Sequence, residues 1–324
     1  MPPVGGATTD EVLPARSTRA RLVTVAKVAF VVAAVALGVL YVAEHREEVA
    51  RALRAMSWAA VLASALAVPV ALACGMLATR AVLRDLGADL TVAAAGRLYF
   101  VSQIGKYLPG SVWPVLAQAE LARRHGVDRR TSVAGSAVAI LLSLVVGLVV
   151  AAVLLLATAR DRLGGYGYGL LALVPLALLL HPGVLGPLLD RLLRLLRRPP
   201  LVRRPTSAGL LRAAGWQTAN WLLLGLHVWL LAVAAGADAR AALPVAVGGF
   251  ALAFCLGVLF VPAPAGAGVR DAVLVVTLGA VTGTGVALTV SLLSRVMLAV
   301  YDLLLGVAWG ALRVSPDRSV PGER

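Results

Sequence analysis

Residues 102–120 read SQIGKYLPGSVWPVLAQAE, inside a chain that is otherwise a succession of long apolar runs. Lys106 brings a charge, and Gly105, Pro109, Gly110 and Pro114 interrupt any helix there. Proline removes an amide donor and clashes with the preceding turn, and glycine weakens a helix interior. Lipid satisfies no hydrogen bonds, so backbone that leaves the helix at membrane depth must be covered by protein or reached by water. The stretch therefore predicts a re-entrant or discontinuous segment beside a polar cavity. An ordinary loop at the interface is the alternative, because Pro-Gly is also a turn signal.

Composition marks the surroundings as membrane. Of 324 residues, 60% are hydrophobic and 14% are charged. Soluble domains carry about 45–50% apolar residues and about 25% charged ones. The excess lies in runs of about 20 residues, the length that crosses a bilayer. The expected fold is all-α: a polytopic helical membrane bundle of about eight transmembrane helices with one or two broken segments. The formal net charge is +14. Its arginines cluster between apolar runs, which fits membrane topology and anionic lipid better than nucleic acid. Cys74, Cys255 and the four histidines show no metal-ligand spacing, so neither metal nor cofactor is expected.

Residues 1–21 read as a disordered basic tail, 22–313 as one transmembrane domain and 314–324 as a short cytoplasmic tail. Spans are predicted at 22–43, 58–78, 133–157, 166–180, 214–235 and 243–261, then to about 281, and finally at 287–312. Pro69 should kink the second. Arginine placement puts both termini in the cytoplasm and makes 93–121 dip in and return on the same side. Residues 183–200 read GVLGPLLDRLLRLLRRPP. Asp190, Arg191, Arg194, Arg197 and Arg198 share one side of a helix, and leucines the other. That predicts an interfacial helix whose arginines meet lipid head groups; a cytoplasmic loop helix is the alternative. Gln217, Asn220 and Trp221 share a face in the fifth span, which favours helix packing over ligand binding.

A second interruption, VPAPAGAGVRDAVL, spans 261–274. It echoes the first: an apolar run, a glycine, a Pro/Gly break and a restart carrying charge. Paired interrupted segments in two halves point to a transporter's binding site. Charges within spans cost about 2.5–3.5 kcal/mol each on insertion scales, so they are functional candidates. The set is Lys106, Glu120, Arg270, Asp271, Arg295 and Asp302. Convergence of Lys106, Arg270 and Arg295 would make a cationic pocket suited to a phosphate-bearing head group. Structural ion pairing among the six is the alternative.

No Walker loop, GxSxG elbow, HExxH or Asp cluster is present, so an enzyme is not expected. The motifs GKYLPGSVWP, PAPAGAGVRDAVL and SLLSRVMLAVYD together resemble the flippase-like transmembrane region of lysylphosphatidylglycerol synthases and their stand-alone relatives. The resemblance covers about 22–312. It implies central roles for Lys106, Pro109, Gly110, Glu120, Arg270, Asp271 and Arg295. Two positions depart from it: Asp271 stands where relatives often have Glu, and Trp113 where they often have Gly. The synthases carry an aminoacyl-transferase domain after this region, so aminoacylation is not expected of these 324 residues. The resemblance implies a bacterial plasma-membrane protein that translocates an anionic, aminoacyl- or glycan-bearing lipid. Two rivals stand beside that reading. One is a scaffold for a separate glycosyltransferase or lipid-modifying enzyme. The other is a membrane-embedded transferase using Glu120 or Asp271 as base.

Overall fold

The computed structural model describes residues 40, 43, 44, 46–107, 113–158, 178, 180–195, 203–260 and 266–312. The two tails, nearly all of the predicted spans 22–43 and 166–180, Pro109, Gly110, Arg197 and Arg198 lie outside the described residues.

Among the described residues ten α-helices follow in order. They are α1 (Arg46–Ala55), α2 (Trp58–Asp85), α3 (Val92–Gln103), α4 (Trp113–Arg123), α5 (Arg129–Thr158), α6 (Pro182–Leu195), α7 (Ser207–Ala234), α8 (Ala239–Leu259), α9 (Val269–Thr282) and α10 (Thr284–Ala311). A 3-10 turn at Ile104–Tyr107 follows α3 directly. Side chains cap three of the starts: Thr91 accepts from the Ala94 amide, Thr206 from Gly209 and Asp238 from Ala241. Such caps fix where an apolar run begins to coil.

Helices α2, α5, α7, α8 and α10 are long and apolar enough to cross a bilayer. Their outer faces expose apolar rows, such as Leu62, Leu66 and Val70 on α2 and Val300, Leu303 and Val307 on α10. Exposed apolar rows of that length suit a lipid surround. The predicted seventh span is corrected: α9 has 14 residues, about 21 Å, short of a ~30 Å hydrocarbon core. Helix α2 also continues seven residues past its predicted end and runs through Pro69 as one helix.

The bundle's two ends are fixed by hydrogen bonds. At the first, the Ser57 amide of α2 donates to the Ala234 carbonyl of α7, at 3.2 Å. At the second, the Thr206 amide and hydroxyl, at the start of α7, both donate to Asp85 at the end of α2, each at 2.6 Å. Helices α2 and α7 are therefore antiparallel, and they form the most extensive helix pair. The α3–α4 hairpin starts and returns at the second end, where Arg97 donates to the Leu312 carbonyl at 3.0 Å. The α8–α9 hairpin opens to the first end, where Gly285 at the start of α10 packs on Glu48 of α1. The order long helix, broken hairpin, long helix thus occurs twice with direction reversed: α2, α3–α4, α5, then α7, α8–α9, α10.

His227 pins the centre. It is fully buried on α7, with Nδ1 2.6 Å from Ser64 Oγ of α2 and Nε2 3.1 Å from Ser294 Oγ of α10. Helix α6 docks near the second end through Leu185 and Leu189, which join a core with Val82, Val138 and Leu210.

Candidate functional site

The two hairpins enter from opposite ends and meet against α10. Arg295 and Asp302 are seven residues apart on that helix, about 10 Å along its axis. Asp302 receives the first hairpin and Arg295 the second. Between the hairpins lies a cavity of about 300 Å³.

The first hairpin delivers a closed ion pair. Lys106 Nζ sits 2.7 Å from Asp302 Oδ2, and the Tyr107 hydroxyl donates to the same oxygen at 2.6 Å. Asp302 is 2% exposed, so its charge depends on these two partners. Gly105 makes the turn possible: a Cβ there would stand 3.0 Å from the Pro114 nitrogen.

The second hairpin delivers one paired carboxylate and one open cation. Asp271 accepts from the Gly268 amide at 3.1 Å, which caps α9, and from Ser291 at 3.3 Å. It also pairs with Arg295. Arg270, one residue earlier, is 9% exposed and makes no ion pair with the described residues. Its guanidinium instead lies over two rings, 4.8 Å from the centroid of Phe250 and 5.6 Å from that of Phe254. Aromatic faces attract a cation without neutralising it. Arg270 lines the cavity, so its donors are available to an anion there.

Of the candidates named from sequence, Lys106, Arg270, Arg295 and Asp302 line the cavity, and Asp271 stands behind Arg295. Glu120 does not join them. Its side chain is 59% exposed and pairs with Arg123 on its own helix. On α6, Arg191 and Arg194 are exposed. The predicted sides of that helix need correction: Asp190 turns inward, 8% exposed and 2.7 Å from Arg204, while Leu188 and Leu195 are exposed.

Other cavity residues escaped the sequence reading. Tyr107 and Phe254 look like ordinary apolar-run aromatics. Gln217 and Trp221 do pack as expected, bonding the Ser143 hydroxyl and carbonyl of α5 at 3.1 and 3.0 Å. Both also line the cavity, with Asn220 and Gln118. Among the described residues no group of three His, Cys, Asp or Glu could hold a metal ion.

No curated protein matches the chain. The family model described as the lysylphosphatidylglycerol synthase TM region matches residues 25–306, which takes in both hairpins and every described residue that lines the cavity. This multi-pass membrane protein therefore belongs to the lysylphosphatidylglycerol synthase transmembrane-region family.

Proposed function

We propose that the chain carries a lipid with an anionic head group between the leaflets of a bacterial plasma membrane, without ATP and without covalent chemistry, with both termini in the cytoplasm. One observation carries this reading: Arg270, a nearly buried guanidinium with no carboxylate partner among the described residues, lines a cavity where two oppositely directed hairpins meet. An unpaired charge at membrane depth costs several kcal/mol, and a bound phosphate would offset that cost through a two-pronged, charge-assisted contact. Lys106 and Arg295 add positive potential, partly screened by Asp302 and Asp271. The reversed repeat supports movement, since the site can be reached by symmetric rearrangement of either hairpin. Family membership supports a role in lipid metabolism or transport.

The test is a leaflet-accessibility assay on purified protein in vesicles containing labelled anionic phospholipid. The wild type moves label across the bilayer, and Arg270→Met does not while remaining folded. Head groups that stay on one side with wild-type protein would sink the carrier reading in favour of a scaffold for a separate glycosyltransferase or lipid-modifying enzyme. Chemical conversion of the lipid by the protein alone would favour a transferase.

A further inference from the structure

The cavity has two walls of different chemistry. Among the described residues, all its ionised side chains, Lys106, Arg270, Arg295 and Asp302, come from the α3 turn, α9 and α10. The opposite wall, from α2, α4, α5 and α7, holds no charge but several neutral hydrogen-bonding groups. Gln118, 7% exposed, has an Nε2 with no partner among the described residues. Asn220, 7% exposed, makes no hydrogen bond with the described residues. Gln217 uses its Nε2 on Ser143, leaving its amide oxygen available. Buried amides at membrane depth are expensive unless something pairs them.

The kinds of capacity on this wall decide what pairs them. A phosphate only accepts hydrogen bonds, and an ammonium only donates. Amides offer both, which matches a hydroxyl, since it also does both. An ammonium binds most strongly to a carboxylate, and among the described residues both carboxylates of the site are already engaged: Asp302 by Lys106 and Tyr107, Asp271 by Arg295, Ser291 and the Gly268 amide.

We infer that the α4/α5/α7 wall is a second subsite that takes a neutral polyol, of the sugar or inositol class, attached to the phosphate held at Arg270. The ligand is a polyol phosphate rather than an aminoacylated or amine-bearing head group. This rests on the reading of Arg270 as the phosphate site, and Gln118, Asn220 and Gln217 are the specificity residues.

The test measures binding rather than transfer, so it stands whether or not the protein moves lipid. Purified wild type in detergent is titrated with myo-inositol 1-phosphate, inorganic phosphate and phosphoethanolamine, read by calorimetry. Inositol phosphate is expected to bind at least about tenfold more tightly than the other two, because a site built for hydroxyls penalises ligands that lack them. Gln217→Leu and Gln118→Leu should each remove most of that margin by weakening inositol phosphate, with unfolding temperatures checked for both. Equal binding of all three probes, tightest binding of phosphoethanolamine, or equal weakening of every probe in the variants would overturn the polyol subsite. Binding of no probe at all would overturn it together with the phosphate site. Short-chain phosphatidylinositol serves as a further arm. Tighter binding than inositol phosphate identifies the ligand as a lipid, and equal binding identifies a free polyol phosphate. Either result supports the polyol, and the second removes the lipid-carrier reading.

Discussion

The two broken hairpins are built alike and end in opposite electrostatic states. Each follows an apolar helix, breaks where glycine permits close backbone approach, and meets α10, the first through α3 and its 3-10 turn and the second through α9. The α3 hairpin brings Lys106 onto a carboxylate that is 2% exposed, so its charge is spent on holding the structure. The α8–α9 hairpin brings Arg270 to two aromatic rings and, among the described residues, to no carboxylate, so its charge is held in reserve. A membrane cation does not announce which of these it is. The partner decides, and here the partner is set by where Asp302 and Asp271 fall on neighbouring elements.

The largest expected effect breaks the contrast at its open side. Arg270→Met should lower lipid transfer about a hundredfold, the consequence of losing a charge-assisted contact of about 3 kcal/mol. Its unfolding temperature should not fall, because no ion pair is broken and an unpaired buried charge is removed. A destabilised Arg270→Met protein would mean the cation is structural after all.

The closed side should respond in the reverse way. Lys106→Ala leaves Asp302 buried with only the Tyr107 hydroxyl, and stability should drop by about 3 kcal/mol. Adding Asp302→Asn removes the orphaned charge and should restore most of the loss in thermal unfolding. If the double variant is no better than the single one, the pair is not what Lys106 contributes.

Smaller effects separate the two backbones. Gly266 has φ +68°, and a Cβ there would stand 3.0 Å from the Gly257 Cα. Gly105 is equally tight against Trp113 and Pro114, without a positive φ among its constraints. Gly266→Ala meets both strain and crowding and should cost about 2 kcal/mol, against about 1 kcal/mol for Gly105→Ala. Only the first should also disturb Arg270 and phosphate binding, since Gly257 lies so near Arg270 that a Cβ on it would stand 3.3 Å from the Arg270 Cβ.

Much of this was legible in the sequence, for physical reasons that can be named. Apolar runs of about 20 residues admit little except spanning helices, and Pro-Gly clusters inside them mark the breaks. Charge within those runs marked Lys106, Arg270, Arg295 and Asp302 before any geometry was known. The depth of α9 was not legible: its 14 residues are as apolar as a full span, and its short length with Gly285 packed on Glu48 at the bundle's first end shows it to be half of a hairpin. Partner choice was not legible either. Nothing in the order of residues tells that Lys106 finds Asp302, 196 positions away, while Arg270 finds Phe250 and Phe254. The amides of Gln217 and Asn220 were visible on one helix face, but a face that packs and a face that lines a cavity have the same spacing.

The smallest expected effect tests how far the likeness between hairpins extends. In sequence, Glu120 stands to the first break as Asp271 stands to the second: an acid shortly after a helix restart. In space they differ. Asp271 caps its own helix and pairs with Arg295, whereas Glu120 points outward to Arg123, with both side chains more than half exposed. Gln118, two positions earlier, does turn toward the cavity, with Pro114 and Val115 of the same helix, and two positions on a helix is a rotation of about 200°. Glu120→Gln should therefore change stability by less than about 0.5 kcal/mol, as for any exposed pair, and leave transfer at the wild-type rate. Asp271→Asn should disturb both, because it uncouples Arg295 from α9. If Glu120→Gln were to abolish transfer, the first hairpin must roll to bring that face inward during the cycle, and the closed pair at Lys106 would then be one state of a moving element.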